Sequence, residues 1–355
     1  MMNQDYTVTD ETFNGLLKQA FDAGASDLHV TVNSPPVLRI DGTLQALGEE
    51  LLSPSSLERI VQELMSPAQY QKFTEQGELD FSYGVPGISR FRINVFRQRG
   101  SISIAARVIS PSVPAFETLH LPPVLLKLAQ KPQGLFLVTG PTGSGKSTTL
   151  ASLIDHINHT ERKHIVTLED PIEYLHRHDK SIINQREVGL DTLSFDNGLR
   201  AALRQDPDII LVGEMRDPET IRTAITAAET GHLVFATLHT ADAPQTIDRI
   251  IDAFPPAQQG QIRIQLASVL LAILSQRLLP SRSGKGRVCA TELLLNPPAV
   301  GNLIRSEKVH QIKSVMQTNF QLGMHTLEMS LRELLRQGVV HEASARPYLT
   351  ESPLG

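Results

Sequence analysis

A single cysteine, no tryptophan and only 5% aromatic residues deprive this 355-residue chain of several common means of holding a fold or a ligand. One cysteine excludes an intrachain disulfide and a tetracysteine zinc site, so a reducing, cytosolic setting is expected. Cys289 itself reads as a small buried apolar residue within Arg287-Val288-Cys289-Ala290. Long hydrophobic runs are also missing. The most apolar stretch, Leu266 to Leu274, is far short of the roughly 20 residues of a spanning helix, and Arg263 and Arg277 bracket it. It reads as a buried core helix, so any work at a membrane goes through a partner rather than by direct insertion. Residues 1–10 are polar and acidic, and no signal peptide is expected. Strong positive charge is lacking too. A net charge of −5 leaves no global footprint for nucleic acid or an anionic membrane.

What the chain does contain is the run Gly140-Pro141-Thr142-Gly143-Ser144-Gly145-Lys146-Ser147-Thr148. It follows the apolar Leu135 to Val138 and precedes a segment in which Leu150, Leu153, Ile154 and Ile157 recur at helical spacing. Strand, glycine-rich turn and helix are the context in which G-x-x-x-x-G-K-[ST] cradles a polyphosphate. Gly140, Gly143 and Gly145 let backbone N–H groups approach the phosphates at the positive end of the following helix. Lys146 is expected to reach the β- and γ-phosphates and Ser147 to ligate Mg²⁺. ATP and Mg²⁺ are therefore the expected cofactors.

The first hundred residues alternate between periods. Phe13, Leu16, Leu17, Ala20 and Phe21 share a helical face ended by Gly24; Asp27 to Val32 and Val37 to Gly42 alternate as strands; residues 54–76 return to helix. Phe81 to Ile109 reads as an antiparallel hairpin or meander. From Phe81 to Phe116 there are five arginines (Arg90, Arg92, Arg97, Arg99, Arg107), no lysine and no acid, which suggests an anionic partner. Stacking aromatics are not interleaved on that face, which argues against nucleic acid. Prolines then cluster at Ser110 to Pro114 and Leu121 to Pro123. The expected organisation is a first domain over 1–112, a Pro-rich linker over 113–123, a second domain over 124–345, and a frayed tail over 346–355.

In the second domain, short apolar strands alternate with helices, as in a parallel sheet covered on both faces. From Pro244 onward the chain reads as mostly helical to about Val340. Several strand ends carry polar residues: Leu168 leads into Glu169-Asp170, Asp208 to Val212 into Gly213-Glu214-Met215-Arg216-Asp217, and Phe235 to Leu238 into His239-Thr240. Phosphoryl transfer to water needs a group to orient the attacking water and positive charge on the γ-phosphate. Glu214 is the expected water-orienting carboxylate, Glu169 a second acid for the water or metal shell, and His239 a reader of the γ-phosphate. The acid usually found directly after a Walker B strand is displaced here by one residue, with Gly213 first.

On these motifs, together with Ala25 to His29, Gly77 to Tyr83, Asn184 to Gly189 and Thr230 to Thr240, the chain resembles the PilT-like family of type IV pilus retraction ATPases. The resemblance implies an α/β protein with a PAS-like α+β N-terminal domain and a RecA-like P-loop ATPase domain carrying a helical C-terminal region. It implies a cytoplasmic homohexamer, with ATP at the interdomain cleft and hydrolysis driving an inner-membrane platform protein. It also implies a phosphate role for Arg92 and Arg107, a part in the site for Arg200, Arg204 and His232, and contact of Glu214 with the metal through water. A tetracysteine module is absent, which favours the retraction branch over assembly or type II secretion ATPases. Ala299-Val300-Gly301-Asn302-Leu303-Ile304-Arg305-Ser306 departs from the retraction motif at its first arginine and final glutamate, so an accessory ring of the PilU type, working with a paralogous ATPase, is the alternative. A RecA-like nucleic-acid motor and a non-catalytic ring subunit are the competing classes; the acidic balance and the intact Lys146, Ser147 and Glu214 weigh against them.

Overall fold

The computed structural model describes residues 10–349 apart from Asp41, Pro111 and Lys285. Two compact units emerge: Met1–Ser112 with Glu173–Leu175, and Val113–Ile172 with His176–Gly355.

The first unit begins with α1 (Asp10–Asp22), followed by strands β1 (Asp27–Thr31), β2 (Val37–Ile40) and β3 (Thr43–Ala46). Helices α2 (Pro54–Leu64) and α3 (Pro67–Gln76) come next, then β4 (Glu78–Val85), β5 (Ser89–Gln98) and β6 (Ser101–Val108). The expected helix over 54–76 is two helices. Ser66-Pro67 divides it: Met65 turns extended before the proline, and Ser66 with Gln69 forms a capping box that starts α3. The six strands form one antiparallel sheet in the order β3-β2-β1-β6-β5-β4. One face is apolar. Phe91, Ile93 and Val95 of β5 pack with Ile102, Ile104 and Ala106 of β6 and with Phe13, Leu17, Leu57 and Val61 of the helices. Burying each such side chain contributes roughly 1.5–3 kcal/mol.

The arginine face differs from expectation. Sequence distance hid its acids, because β1 and β4 flank β6 and β5 in the sheet. Arg107 Nε lies 2.9 Å from Asp27 Oδ1, and Arg92 Nε lies 3.7 Å from Asp80 Oδ1. Burial raises the Asp27 carboxyl, but the Ser26 hydroxyl and the Arg107 guanidinium outweigh it and hold the group below its ordinary range. Arg92 and Arg107 nonetheless stand directly opposite each other across β5 and β6. Like charges in register are unfavourable unless an anion relieves them.

The second unit opens with a 3₁₀ turn at Phe116–Leu119 and α4 (Val124–Ala129). Residues 113–123 are therefore not a free linker. Phe116 and Leu121 are buried in the same cluster as Phe136 and Leu153, which fastens the proline-rich segment to this unit. Then follow β7 (Gly134–Thr139), α5 (Lys146–Thr160), β8 (His164–Glu169), β9 (Ile182–Glu187), α6 (Phe195–Ala202), β10 (Ile209–Val212), α7 (Pro218–Glu229) and β11 (Leu233–Leu238). The remaining elements are α8 (Ala243–Asp252), α9 (Pro256–Val269), β12 (Leu270–Pro280), β13 (Arg287–Leu295), α10 (Pro298–Arg305), α11 (Ile312–Thr318), α12 (Leu327–Arg336) and α13 (Glu342–Ala345).

The seven strands lie in the order β13-β12-β7-β11-β10-β8-β9, parallel throughout except for β13 at one edge. Every residue of β7, β10 and β11 is buried, as a doubly covered sheet requires. Leu135 and Leu137 face the cluster containing α7, α8, α9 and α10, whereas Phe136 and Val138 face that of α4 and α5.

The hairpin of β12 and β13 corrects the reading of a mostly helical C-terminal region, into which it sets two long strands. The apolar run Leu266 to Leu274 is not one core helix. Helix α9 ends at Val269 and β12 starts at Leu270, a division that periodicity alone cannot make in a short, nearly continuous apolar run. The expected tail also starts later than 346. Arg346–Tyr348 forms a 3₁₀ turn, and the Arg277 guanidinium lies 5.6 Å from the centre of the Tyr348 ring. Residues 350–355 lie outside those described.

Glu292 of β13 ties this region together. It is 3% exposed and accepts backbone N–H bonds from Ala243 (2.9 Å) and Leu327 (3.4 Å), at the starts of α8 and α12. Burial pushes its carboxyl up, with the two amides and Lys313 opposing. Glu292→Ala leaves both amides without this acceptor and is expected to cost about 2–4 kcal/mol, read as a lower urea midpoint at unchanged m-value.

Candidate functional site

Parallel pairing brings the ends of β7, β11, β10 and β8 to one edge of the sheet, and the glycine-rich loop lies there. Gly140 has φ +143°, Gly143 +76° and Gly145 +92°, the last as N-cap of α5. A Cβ on Gly140 would lie 2.5 Å from Ser144 Oγ and 2.6 Å from the Gln276 carbonyl oxygen, so only glycine lets the loop close over β12. The Ser144 hydroxyl is buried and without a hydrogen-bond partner among the described residues. Lys146, 9% exposed, donates from Nζ to the carbonyls of Gly140 (2.8 Å) and Pro141 (3.1 Å) and lies 3.5 Å from His239 Nδ1. An ammonium held at the centre of a loop of backbone N–H groups at a helix N-terminus suits a polyphosphate.

The next strand ends supply the rest. Met215 is buried in the core and its N–H donates to the Thr237 carbonyl at 3.0 Å. Alternation about this pinned residue turns Glu214 and Arg216 outward together. Glu214 Oε2 is 2.7 Å from Arg216 Nη2, and its Oε1 is 3.3 Å from His239 Nε2. Burial raises the Glu214 carboxyl, but the Arg216 and His239 contacts outweigh it and leave the group below its ordinary range. Glu169 Oε1 accepts from Thr167 Oγ1 (2.6 Å) and Gln185 Nε2 (3.0 Å). Gln185 is oriented in turn by the His176 N–H, which its Oε1 accepts at 2.8 Å. The chain Lys146, His239, Glu214, Arg216 thus joins the phosphate loop to the end of β10.

The displaced Walker B acid has a steric cause. A Cβ on Gly213 would lie 2.9 Å from the Leu168 carbonyl oxygen and 3.3 Å from Glu169 Cα. The ends of β8 and β10 approach too closely for any side chain at 213, and the first position free to carry an acid is 214.

A model of the family described as type II/IV secretion system protein matches residues 3–291. The chain belongs to that family. It is similar to the type IV pilus retractation ATPase PilT of Pseudomonas aeruginosa, with 48% identity over 92% of this chain and 95% of that protein. The type IV pilus ATPase PilU of the same organism is 42% identical over 92% of this chain and 86% of its own length. A crystal structure of the pilus retraction motor PilT with bound ADP aligns with a TM-score of 0.88 at 50% identity, covering 96% of this chain and 97% of that one.

Not every residue expected from the family resemblance reaches the loop. His232 precedes β11, and its carbonyl accepts from the Gly134 N–H at the start of β7. That is the far end of a six-residue strand from Gly140, about 20 Å away at ~3.3 Å per residue. Its Nδ1 lies 2.9 Å from the Ala227 carbonyl, so it caps α7. Arg200 Nε is held at 2.9 Å by Asp196 on its own helix, and Arg204 lies beyond the end of α6 on the approach to β10. Arg92 and Arg107 belong to the sheet of the first unit, as described above.

The donors suit a hard divalent cation. Ser147 offers a hydroxyl at the first turn of α5 and Glu214 a carboxylate; no cluster of three or more His, Cys, Asp or Glu side chains able to hold a metal occurs among the described residues. Mg²⁺ is held this way in phosphate sites, by few protein oxygens plus phosphate and water. When bound with nucleotide it supplies charge neutralisation of the phosphates. Sequence reasoning missed Arg216, Gln185 and Gln276. The last donates from Nε2 to Thr149 Oγ1 at 2.9 Å and backs the loop from β12. A cation two residues beyond Glu214 was the available signal for Arg216.

Proposed function

We propose that this protein is the Mg²⁺-dependent motor that retracts type IV pili, working as a cytoplasmic homohexamer on a platform protein of the inner membrane. The chain is an ATPase. The observation that carries the reading is the convergence of Lys146, His239, Glu214 and Glu169 on one sheet edge: a phosphate-binding ammonium, an imidazole for the γ-phosphate, and two carboxylates for water and metal. Unit one is read as PAS-like and unit two as RecA-like, which the six-stranded antiparallel sheet and the mainly parallel seven-stranded sheet support. No helix among the described residues is long and apolar enough to cross a membrane, in keeping with action through a partner.

Purified full-length protein is expected to release phosphate from ATP, to stop on chelation by EDTA, and to show a sixfold mass in native mass spectrometry. Hydrolysis that is indifferent to EDTA would remove Mg²⁺ from the account, and a stable monomer active at full rate would remove the hexamer. Arg92 and Arg107 are assigned to charge neutralisation during turnover. Arg92→Ala and Arg107→Ala are each expected to slow phosphate release about tenfold to hundredfold. The melting temperature of Arg92→Ala should hardly move, because its ion pair is largely exposed, whereas Arg107→Ala leaves the mostly buried Asp27 carboxylate without its guanidinium and should melt somewhat earlier. Normal rates in both would leave that face a solvated polar surface.

An accessory role of the PilU type is the second reading. Gly301 and Ser306 stand where the retraction motif carries an arginine and a glutamate, and that departure favours it.

A further inference from the structure

Glu214 is gripped at both oxygens. His239 holds Oε1 from the end of β11 at 3.3 Å, and Arg216 holds Oε2 from within the same loop at 2.7 Å. A lysine ammonium can only donate, so the contact of Lys146 Nζ with His239 Nδ1 makes Nδ1 the acceptor and puts the imidazole proton on Nε2, aimed at Glu214. A carboxylate with one donor on each oxygen keeps a second lone pair on each for water, with its plane fixed. His239 sits on a core strand. Arg216, with 72% of its side chain exposed, is the adjustable arm of the grip. Asp170, at the end of β8, is the other acid that attracts the guanidinium.

We propose that Arg216 is a positioning residue for ATP hydrolysis, its guanidinium directing the Glu214 carboxylate toward the attacking water from the oxygen that His239 leaves open. The arrangement rests on Glu214 as the water-orienting group. Arg216 takes no part in binding the nucleotide, and its loss is felt in turnover rather than affinity. The groups facing Glu214 are Arg216 from its own loop and His239 from β11, with Lys146 behind the histidine and Asp170 behind the arginine. Removing the Arg216 contact leaves the carboxylate held at one oxygen only and free to turn, while Lys146 keeps its contacts in the phosphate loop.

The test is steady-state hydrolysis of MgATP by the full chain for Arg216→Ala and Arg216→Lys, with Glu214→Gln in parallel. Arg216→Ala is expected to lose about tenfold or more in kcat with KM within about twofold. Arg216→Lys, which keeps the charge, should restore part of kcat. Wild-type kcat in Arg216→Ala would overturn the assignment. So would a loss confined to KM, or a loss of kcat that lysine does not repair, since either is what a structural role gives. If Glu214→Gln hydrolyses normally, the glutamate reading and Arg216 fall together; if it is inactive while Arg216→Ala is unaffected, Arg216 alone falls.

Discussion

Glu214→Gln is expected to bind ATP with wild-type affinity and to lose hydrolysis by about 10²–10⁴-fold, the range that a positioned base contributes. The amide preserves shape and can still accept from Arg216 or His239, so the loop and strand ends keep their places. What it loses, on the proposed role of Glu214, is the negative charge that orients water and takes its proton. Equilibrium binding of a fluorescent nucleotide and single-turnover phosphate release separate the two effects. Unchanged hydrolysis would transfer the role to Glu169, whose Oε1 is held by Thr167 and Gln185.

Gly140→Ala carries the second large effect, and it acts on the cradle rather than on the chemistry. The position has φ +143°, where a side chain is strained, and the added methyl would meet Ser144 Oγ and the Gln276 carbonyl well inside van der Waals contact. Strain and overpacking together are expected to cost about 2–5 kcal/mol of stability. Relief requires the loop to lift from β12, and that moves the backbone N–H groups off the phosphates. Nucleotide binding should therefore fail even in the folded fraction, measured by calorimetry below the melting temperature of the variant. Gly143→Ala is the control on the same loop, with φ +76° but open space around its Cβ, and should bind more strongly than Gly140→Ala.

The phosphate loop was legible because each part of it is local: strand, glycines, lysine and helix follow one another in the chain. The carboxylates at the strand ends were legible for a related reason. Short apolar runs ending in polar residues imply a parallel sheet, and parallel strands align their ends without further information. What depended on pairing between distant segments was not. Arg92 and Arg107 looked free of acids because Asp80 and Asp27 lie on neighbouring strands rather than neighbouring residues. The β12–β13 hairpin was lost because Leu266 to Leu274 is apolar at every position but Ser268, and a short continuous apolar run carries neither period. With it went Gln276, which supports the loop from behind. His232 and Arg200 show the converse: the family resemblance gave them a part in the site, and in this chain one caps α7 and the other is paired along α6. Gly213 explains from packing what the motif alone left odd.

Retraction by hydrolysis at Glu214 is tested most directly by what the protein does to pili. In a strain lacking this gene, surface pili and twitching are to be scored with wild-type and Glu214→Gln copies returned. Excess pili without movement are expected in the deletion, with repair by the wild type and none by Glu214→Gln. Absent pili would make the protein an assembly motor, and full repair by Glu214→Gln would contradict hydrolysis at this site as the source of retraction.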